Sequence, residues 1–487
     1  MAILKARTNY GIVTGKRGSN PAVSDFLGIP FAKPPVGELR YAAPQPAEPW
    51  EGERACTEYG PSCIQWDPPG GKLTYQISED CLYLNVYTPA DSTGEKLPVM
   101  FWIYGGGFTG GSTEDPEMNG ERLCEKGVVV VTATYRCGMM GFMALPELEK
   151  KNGRVVNAGI LDQIAALRWV QENISAFGGD PERVLIFGQS AGGMSVRMLL
   201  TSPLTKGLFS RAVVHSGGGL NEADPIRPKQ EFMALCQKTM EHLGWTYEDL
   251  MTRDAVEVND KMMHAVKEVA TDDEVGYFQP FIDEYSITEV PGKLISKGEY
   301  LDIPIICGTV AGDSWMFSRK VKHLLADVAY LRGLSYAASQ AWAQWQVKTG
   351  RTPIYTFYID RKQPPRANHG FKRGGPPYGG DTPHGSDVAY VFGNLEARKL
   401  PYGPMDDAIS DAVMTYWTNF AKSGNPNGTG LAHWPKYTKQ TPYAMHFGNE
   451  GWHAEDIVLS REEERILEYT QEHPGLLTSL EGFFDKE

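Results

Sequence analysis

The chain contains neither a His-Glu-x-x-His nor a Cys-x-x-Cys pattern, so its motifs predict no metal site. It has no long unbroken apolar run. The two richest stretches, 128–145 and 184–200, are interrupted by Arg136 and Arg197, which argues against a membrane span. Basic residues are in deficit, 47 Lys and Arg against 60 Asp and Glu, for a formal charge of −13. That balance argues against a nucleic-acid partner and against an anionic membrane surface. The opening residues, Met1 to Arg7, are charged too soon for a signal peptide. Cysteines are few and irregular, at 56, 63, 81, 124, 137, 236 and 307. An odd number, mostly in apolar or helical stretches, reads as buried free thiols in a reducing compartment. A cytoplasmic location is therefore expected, or a secreted one if a leader once preceded the chain. Cys63 and Cys81 are the exception. They bracket a Pro/Gly-containing loop, and pairing across a loop of that size contributes roughly 3 kcal/mol in the chain-entropy picture.

At 487 residues the chain is long enough for two or three domains, or for one large α/β fold with long insertions. The first hundred residues read as short strands punctuated by Pro and Gly. Apolar runs bounded by turns follow at 99–104, 128–135, 184–187, 212–215, 303–307 and 354–359. Runs of that kind suit strands buried on both faces of a sheet. Helical stripes lie between them, at 161–177, stopped by Gly178-Gly179-Asp180-Pro181, and at 406–423, with Gly424 as its C-cap. The alternation predicts a mostly parallel α/β sheet flanked by helices. Residues 220–300 are more charged and more helical and read as an insertion beside the sheet. Residues 361–383 read as a loop. There is no internal repeat.

The stretch Arg183-Val184-Leu185-Ile186-Phe187-Gly188-Gln189-Ser190-Ala191-Gly192-Gly193 carries the clearest chemical signal. A Gly-x-Ser-x-Gly alone is weak, but here a strand-like run precedes it and a helix-compatible run follows. Such a turn lifts the Ser190 hydroxyl above the carboxyl edge of the sheet and sets the Ala191 amide at a helix N-terminus. A serine nucleophile needs a base and the base an orienter. His384, on a turn before an apolar run, is the candidate base, ahead of His215, His433, His446 and His453. Asp313, after the strand at 303–307, is the candidate acid. Asp387 competes by its nearness to His384 but reads better as a helix N-cap or salt-bridge partner. Gly105-Gly106-Gly107, directly after the strand at 99–104, supply candidate oxyanion donors.

With these residues in place the chain resembles the type-B carboxylesterase and cholinesterase-like branch of the α/β-hydrolases. The resemblance spans nearly its whole length. It rests on FLGIPFAKPPVGELRY, EDCLYLNVYTP, WIYGGGF, NAGILDQIAALRWVQENISAFGGDPERVLIFGQSAGG, LFSRAVVHSGG and HGSDVAYVFGN, in that order. It is most similar to bacterial esterases of p-nitrophenyl and p-nitrobenzyl esters. The resemblance implies one α/β-hydrolase domain over 1–487, with insertion segments at about 220–300 and 315–383. It implies Ser190 as nucleophile, His384 as base, Asp313 as acid, and Gly106, Gly107 and Ala191 as oxyanion donors. It implies a Cys63–Cys81 disulfide, structural ion pairs Arg40–Glu79 and Arg136–Asp162, and a buried Ser216 supporting the triad. The family usually has Glu where Asp313 stands, and often Glu where Gln189 stands; a neutral Gln189 weakens attraction for cationic substrates.

The expected activity is hydrolysis of small-molecule carboxylic esters through an acyl-enzyme, without a cofactor, by a chain expected to be monomeric. Trp66, Phe108, Gln189, Ser216, Phe281, Trp315 and Phe317 are candidate pocket residues. Two alternatives stay open. One is a specialised phenolic-acid (feruloyl-type) esterase, amidase or carbamate hydrolase, with the basic residues Arg361, Lys362, Arg366, Lys372 and Arg373 greeting an acidic group. The other is a non-catalytic binding relative, since fold alone does not fix function.

Overall fold

Apolar runs become interior strands because only a sheet covered on both faces hides every side chain of such a run. Val99 to Ile103 and Val184 to Phe187 are all buried. The computed structural model describes residues 2–66, 73–220, 226–270, 278–315, 333–364 and 382–475. Its main sheet has eleven strands. In chain order they are β1 (Lys16–Arg17), β2 (Ser24–Pro30), β3 (Tyr83–Thr88), β4 (Leu97–Ile103), β5 (Val129–Ala133), β6 (Gly179–Gln189), β7 (Arg211–His215), β8 (Ile305–Val310), β9 (Ile354–Ile359), β10 (Tyr443–Gly448) and β11 (Gly451–Asp456). Their spatial order is β11-β10-β9-β8-β7-β6-β4-β5-β3-β2-β1. β5, β4 and β6 through β10 run parallel. The two edges are antiparallel.

From β4 the chain moves outward to β5, then crosses back to place β6 on the other side of β4. The order therefore reverses between β4 and β6, and in open α/β sheets the crevice at such a switch point, beyond the carboxyl strand ends, receives ligands. The motifs singled out at Gly105–Gly107 and Ser190 follow these two strands.

Helix α1 (Ala158–Asn173) packs on β6, α2 (Ala191–Thr201) on β6 and β7, α3 (Gly333–Lys348) on β8 and β9, and α4 (Pro404–Ser423) on β4 and β6. The helix expected over 161–177 ends at Asn173 and continues as a tighter turn, Ile174–Phe177, closed by Gly178 at φ 79°. The expected C-cap Gly424 sits at φ 75°. The helical reading of 220–300 matches helices Lys229–Leu243, Tyr247–Thr252, Ala255–Val269 and Pro291–Lys297. The span 315–383 is not an insertion along its whole length: it contains α3 and the interior strand β9, whose Ile-Tyr-Thr-Phe-Tyr-Ile run pairs with β8 and β10.

Candidate active site

The turn after β6 is held by close backbone packing. Ser190 has φ 59° and ψ −127°, a region that side-chain-bearing residues rarely adopt. A Cβ on Gly188 would lie 2.5 Å from the Gly192 carbonyl group, and one on Gly192 would lie 2.0 Å from the Ile103 oxygen. Both positions therefore require glycine, and the same contacts bring the β4 and β6 ends together. The Ser190 N–H donates to the His215 oxygen at 3.0 Å, and its carbonyl accepts from Met194 N–H at 2.8 Å. The strained turn is thus fixed from both sides. Ala191 opens α2, and the first amides of a helix have no intrahelical acceptor. Across the crevice Gly106 has φ 119°, and a Cβ there would meet the Gly110 oxygen at 2.1 Å. The Gly106, Gly107 and Ala191 amides have no acceptor among the described residues, leaving three donors beside the serine turn.

Gln65, which the motifs do not reveal, pins this glycine loop. Its Oε1 accepts from Gly111 N–H at 2.8 Å, and its Nε2 donates to the Gly111 oxygen at 2.9 Å and the Cys63 oxygen at 3.0 Å. Cys63 is disulfide-bonded to Cys81. The short covalent loop thus holds the glycine turn by a side-chain amide facing a backbone amide.

His384 and Asp313 come together from distant loops. Asp313 lies in the turn Ala311–Trp315 after β8. Its carboxylate is fully buried, accepts from Val310 N–H at 3.2 Å, and meets His384 Nδ1 at 2.6 Å. Such a contact places the ring proton on Nδ1 and the lone pair on Nε2. Burial disfavours the charged ring, but the Asp313 carboxylate, with Asp387 behind it, more than offsets this. The His384 pKa therefore lies above the ordinary imidazole value. The His384 Nε2 is occupied: Gln189 Nε2 donates to it at 3.0 Å. The Ser190 hydroxyl makes no hydrogen bond among the described residues.

A second buried histidine–aspartate pair lies beneath. Asp387 Oδ2 is 2.8 Å from His215 Nδ1, and Trp417 Nε1 donates to His215 Nε2 at 2.9 Å. Burial opposes the Asp387 charge, but the His215 contact and the nearby His384 ring hold its carboxyl below the usual aspartate range. Asp387 thus accepts a hydrogen bond from His215 Nδ1–H, and its side chain makes no helix cap. A reading along the chain had no means of pairing His215 with Asp387, which are 172 residues apart.

The remaining candidates disperse. Ser216 is buried, but its hydroxyl finds no partner among the described residues; the support for the triad implied by resemblance is not seen. Phe108 is buried edge-on against Phe142, and Phe281 stacks on Phe232; Phe281 is a fully buried core residue, not a pocket wall. Trp66 lies over His264 with Lys267 above its ring. Phe317, Arg366, Lys372 and Arg373 fall outside the described residues, as does the side chain of Trp315. Arg361 is not poised toward a substrate: it forms a two-pronged pair with Asp406 at 2.8 and 3.1 Å. Arg40–Glu79 at 2.6 Å and Arg136–Asp162 at 2.8 Å are ion pairs.

A sequence model of the Carboxylesterase family matches residues 3–323 and 311–463. The chain belongs to the carboxylesterase family. It is a carboxylic ester hydrolase with the α/β-hydrolase fold. It is 34% identical over 488 residues to a para-nitrobenzyl esterase of Bacillus subtilis (strain 168), covering 91% of this chain and 94% of that protein. It is 33% identical over 489 residues to a fumonisin B1 esterase of Sphingopyxis macrogoltabida, covering 94% and 88% respectively. A solved PNB esterase structure superposes with a TM-score of 0.79 at 31% identity, over 95% of this chain and 99% of the other. A Geobacillus stearothermophilus carboxylesterase gives 0.78 at 30%, over 96% and 100%. The carboxylesterase reading made from the motifs, with its p-nitrobenzyl-esterase flavour, agrees with these matches.

Proposed function

We propose that this carboxylesterase works through Ser190, His384 and Asp313 and forms an acyl-enzyme. The observation that carries the reading is the 2.6 Å contact of His384 Nδ1 with buried Asp313, in a loop whose ring also reaches the side chain next to the strained Ser190 turn. That contact fixes the tautomer a general base needs. When substrate arrives, the Gln189 amide yields Nε2 to the Ser190 hydroxyl. Ser190 Oγ attacks the ester carbonyl while His384 takes its proton. The Gly106, Gly107 and Ala191 amides receive the developing oxyanion; one such donor is worth about 2.7–4 kcal/mol of barrier. His384 then protonates the departing alcohol, and water, activated by the same ring, releases the acid.

Small neutral carboxylic esters are the substrate class this site fits. Gln189 places a neutral amide beside the base, and the Arg361 charge is neutralised by Asp406. Partitioning tests the acyl-enzyme. With methanol added, p-nitrophenyl butyrate and phenyl butyrate should give the same ratio of methyl butyrate to butyrate, since both pass through one intermediate. Ratios that follow the leaving group contradict the reading.

A further inference from the structure

The edge hairpin opposite the glycine-loop side of the sheet carries a side-chain cluster unrelated to the ester chemistry. β10 and β11 pair with His446 directly opposite His453. Glu455, two residues beyond His453, shares its face, because alternate residues of a strand point the same way. His446 Nδ1 lies 3.2 Å from Glu455 Oε2, and His453 Nε2 lies 3.6 Å from the same oxygen. The three residues each offer a ligand atom, all within 4.8 Å of one another.

We propose that His446, His453 and Glu455 form a binding site for a borderline divalent transition cation of the zinc class. Three arguments converge. Bonds of 2.0–2.1 Å in a tetrahedral site put neighbouring ligand atoms about 3.4 Å apart, and the two measured separations bracket that distance. The donor set, two imidazoles and a carboxylate, is one that zinc accepts with a water in the fourth position. The outer contact is also in place. His446 Nε2 meets Asp360 Oδ1 at 2.7 Å, which fixes a proton on that nitrogen and leaves Nδ1, on the Glu455 side, as the ring's coordinating atom. A carboxylate on the far nitrogen is the usual partner of a metal-bound histidine. Asp360 follows β9 directly and is itself held by its N–H to the Phe447 oxygen at 3.1 Å, while Tyr358 stacks on the His446 ring. The ligands lie on a backbone frame that is set before any ion arrives, and the exposed His453 leaves an entry path. A bound ion would tie β11 to β10 at the sheet edge. No Cys-x-x-Cys or His-Glu-x-x-His pattern announces the site, because cross-strand register brings its ligands together.

The test is calorimetric titration of the untagged, chelator-stripped full chain with Zn2+, for the parent, His453→Ala and Asp360→Asn. One ion per chain is expected for the parent. His453→Ala should weaken binding by more than about tenfold, and Asp360→Asn, which removes no ligand, by about 10- to 100-fold. His453 is exposed, so its variant should fold; unchanged p-nitrophenyl butyrate hydrolysis checks this. Absence of Zn2+ uptake by the parent overturns the proposal. So does uptake that His453→Ala leaves unchanged, which would place the ion elsewhere.

Discussion

Replacing Gln189 with alanine removes the group that occupies His384 Nε2. The contact is a neutral amide to a neutral imidazole at 3.0 Å. If Ser190 has to displace Gln189 before the ring can take its proton, breaking that bond is part of the acylation barrier. Neutral bonds of this kind have a net worth of about 0.5–1.5 kcal/mol, so their removal should raise kcat/KM roughly 2- to 12-fold. The backbone of residue 189 stays in the β6 ladder, where it pairs with His215, so the serine turn should persist. A second signature has an independent sign. An amide that donates to Nε2 favours the unprotonated ring, so without it the acid limb of the kcat/KM profile should move to higher pH. Gln189→Glu should move the limb further in the same direction, because a carboxylate there accepts from a protonated Nε2. The assay is p-nitrophenyl butyrate hydrolysis from about pH 5 to pH 9, where kcat/KM reports the free enzyme. A fall in kcat/KM with an unmoved acid limb would refute the reasoning. Gln189 would then orient the ring instead of competing for it.

Catalysis needs His384 neutral, and although burial opposes its charge, Asp313 and Asp387 raise its pKa; activity should therefore fall, as pH drops, through a value above the ordinary imidazole one, and Asp387→Asn should shift that limb downward in the same assay. Asp162→Ala leaves the buried Arg136 guanidinium without its carboxylate, which should cost about 3–5 kcal/mol of stability, read as a lower urea midpoint; a change below about 1 kcal/mol would contradict this. Asp25 is pushed up to about 7, first by burial and then by the facing Glu121 charge, with Lys16 acting against them. Its native state holds a proton that the unfolded chain releases near pH 4, so the stability it contributes is full below about pH 4 and lost as pH rises through about 7. Asp25→Asn should accordingly raise the urea midpoint relative to the parent at pH 8 far more than at pH 4; equal gains at both would contradict the assignment.

The parts of the site written as local patterns were legible in the sequence. Gly188 and Gly192 are needed because no Cβ fits between β4 and the serine turn, and that need leaves a Gly-x-Ser-x-Gly signature. Strand β9 was legible to the residue, since Ile354 to Ile359 is an apolar and aromatic run interrupted only by Thr356. Contacts made by register and long loops left no such trace. Gln65 looks like any loop glutamine until its amide is seen against Gly111. His215 reads as a strand-end residue, yet its partners Asp387 and Trp417 come from beyond β9. Phe281 suited a pocket wall by type alone, whereas its ring is covered by Phe232. The hairpin at 443–456 was missed because its strands mix apolar residues with His, Glu and Asp, and only the cross-strand register sets His446 opposite His453.

The most direct test of the Ser190 assignment is labelling with a fluorophosphonate probe, beside p-nitrophenyl butyrate hydrolysis, for the parent and Ser190→Ala. The account predicts that the parent hydrolyses the ester and takes one label, mapped to Ser190, and that the folded alanine variant does neither. Label on another residue, or hydrolysis that survives in Ser190→Ala, would contradict it.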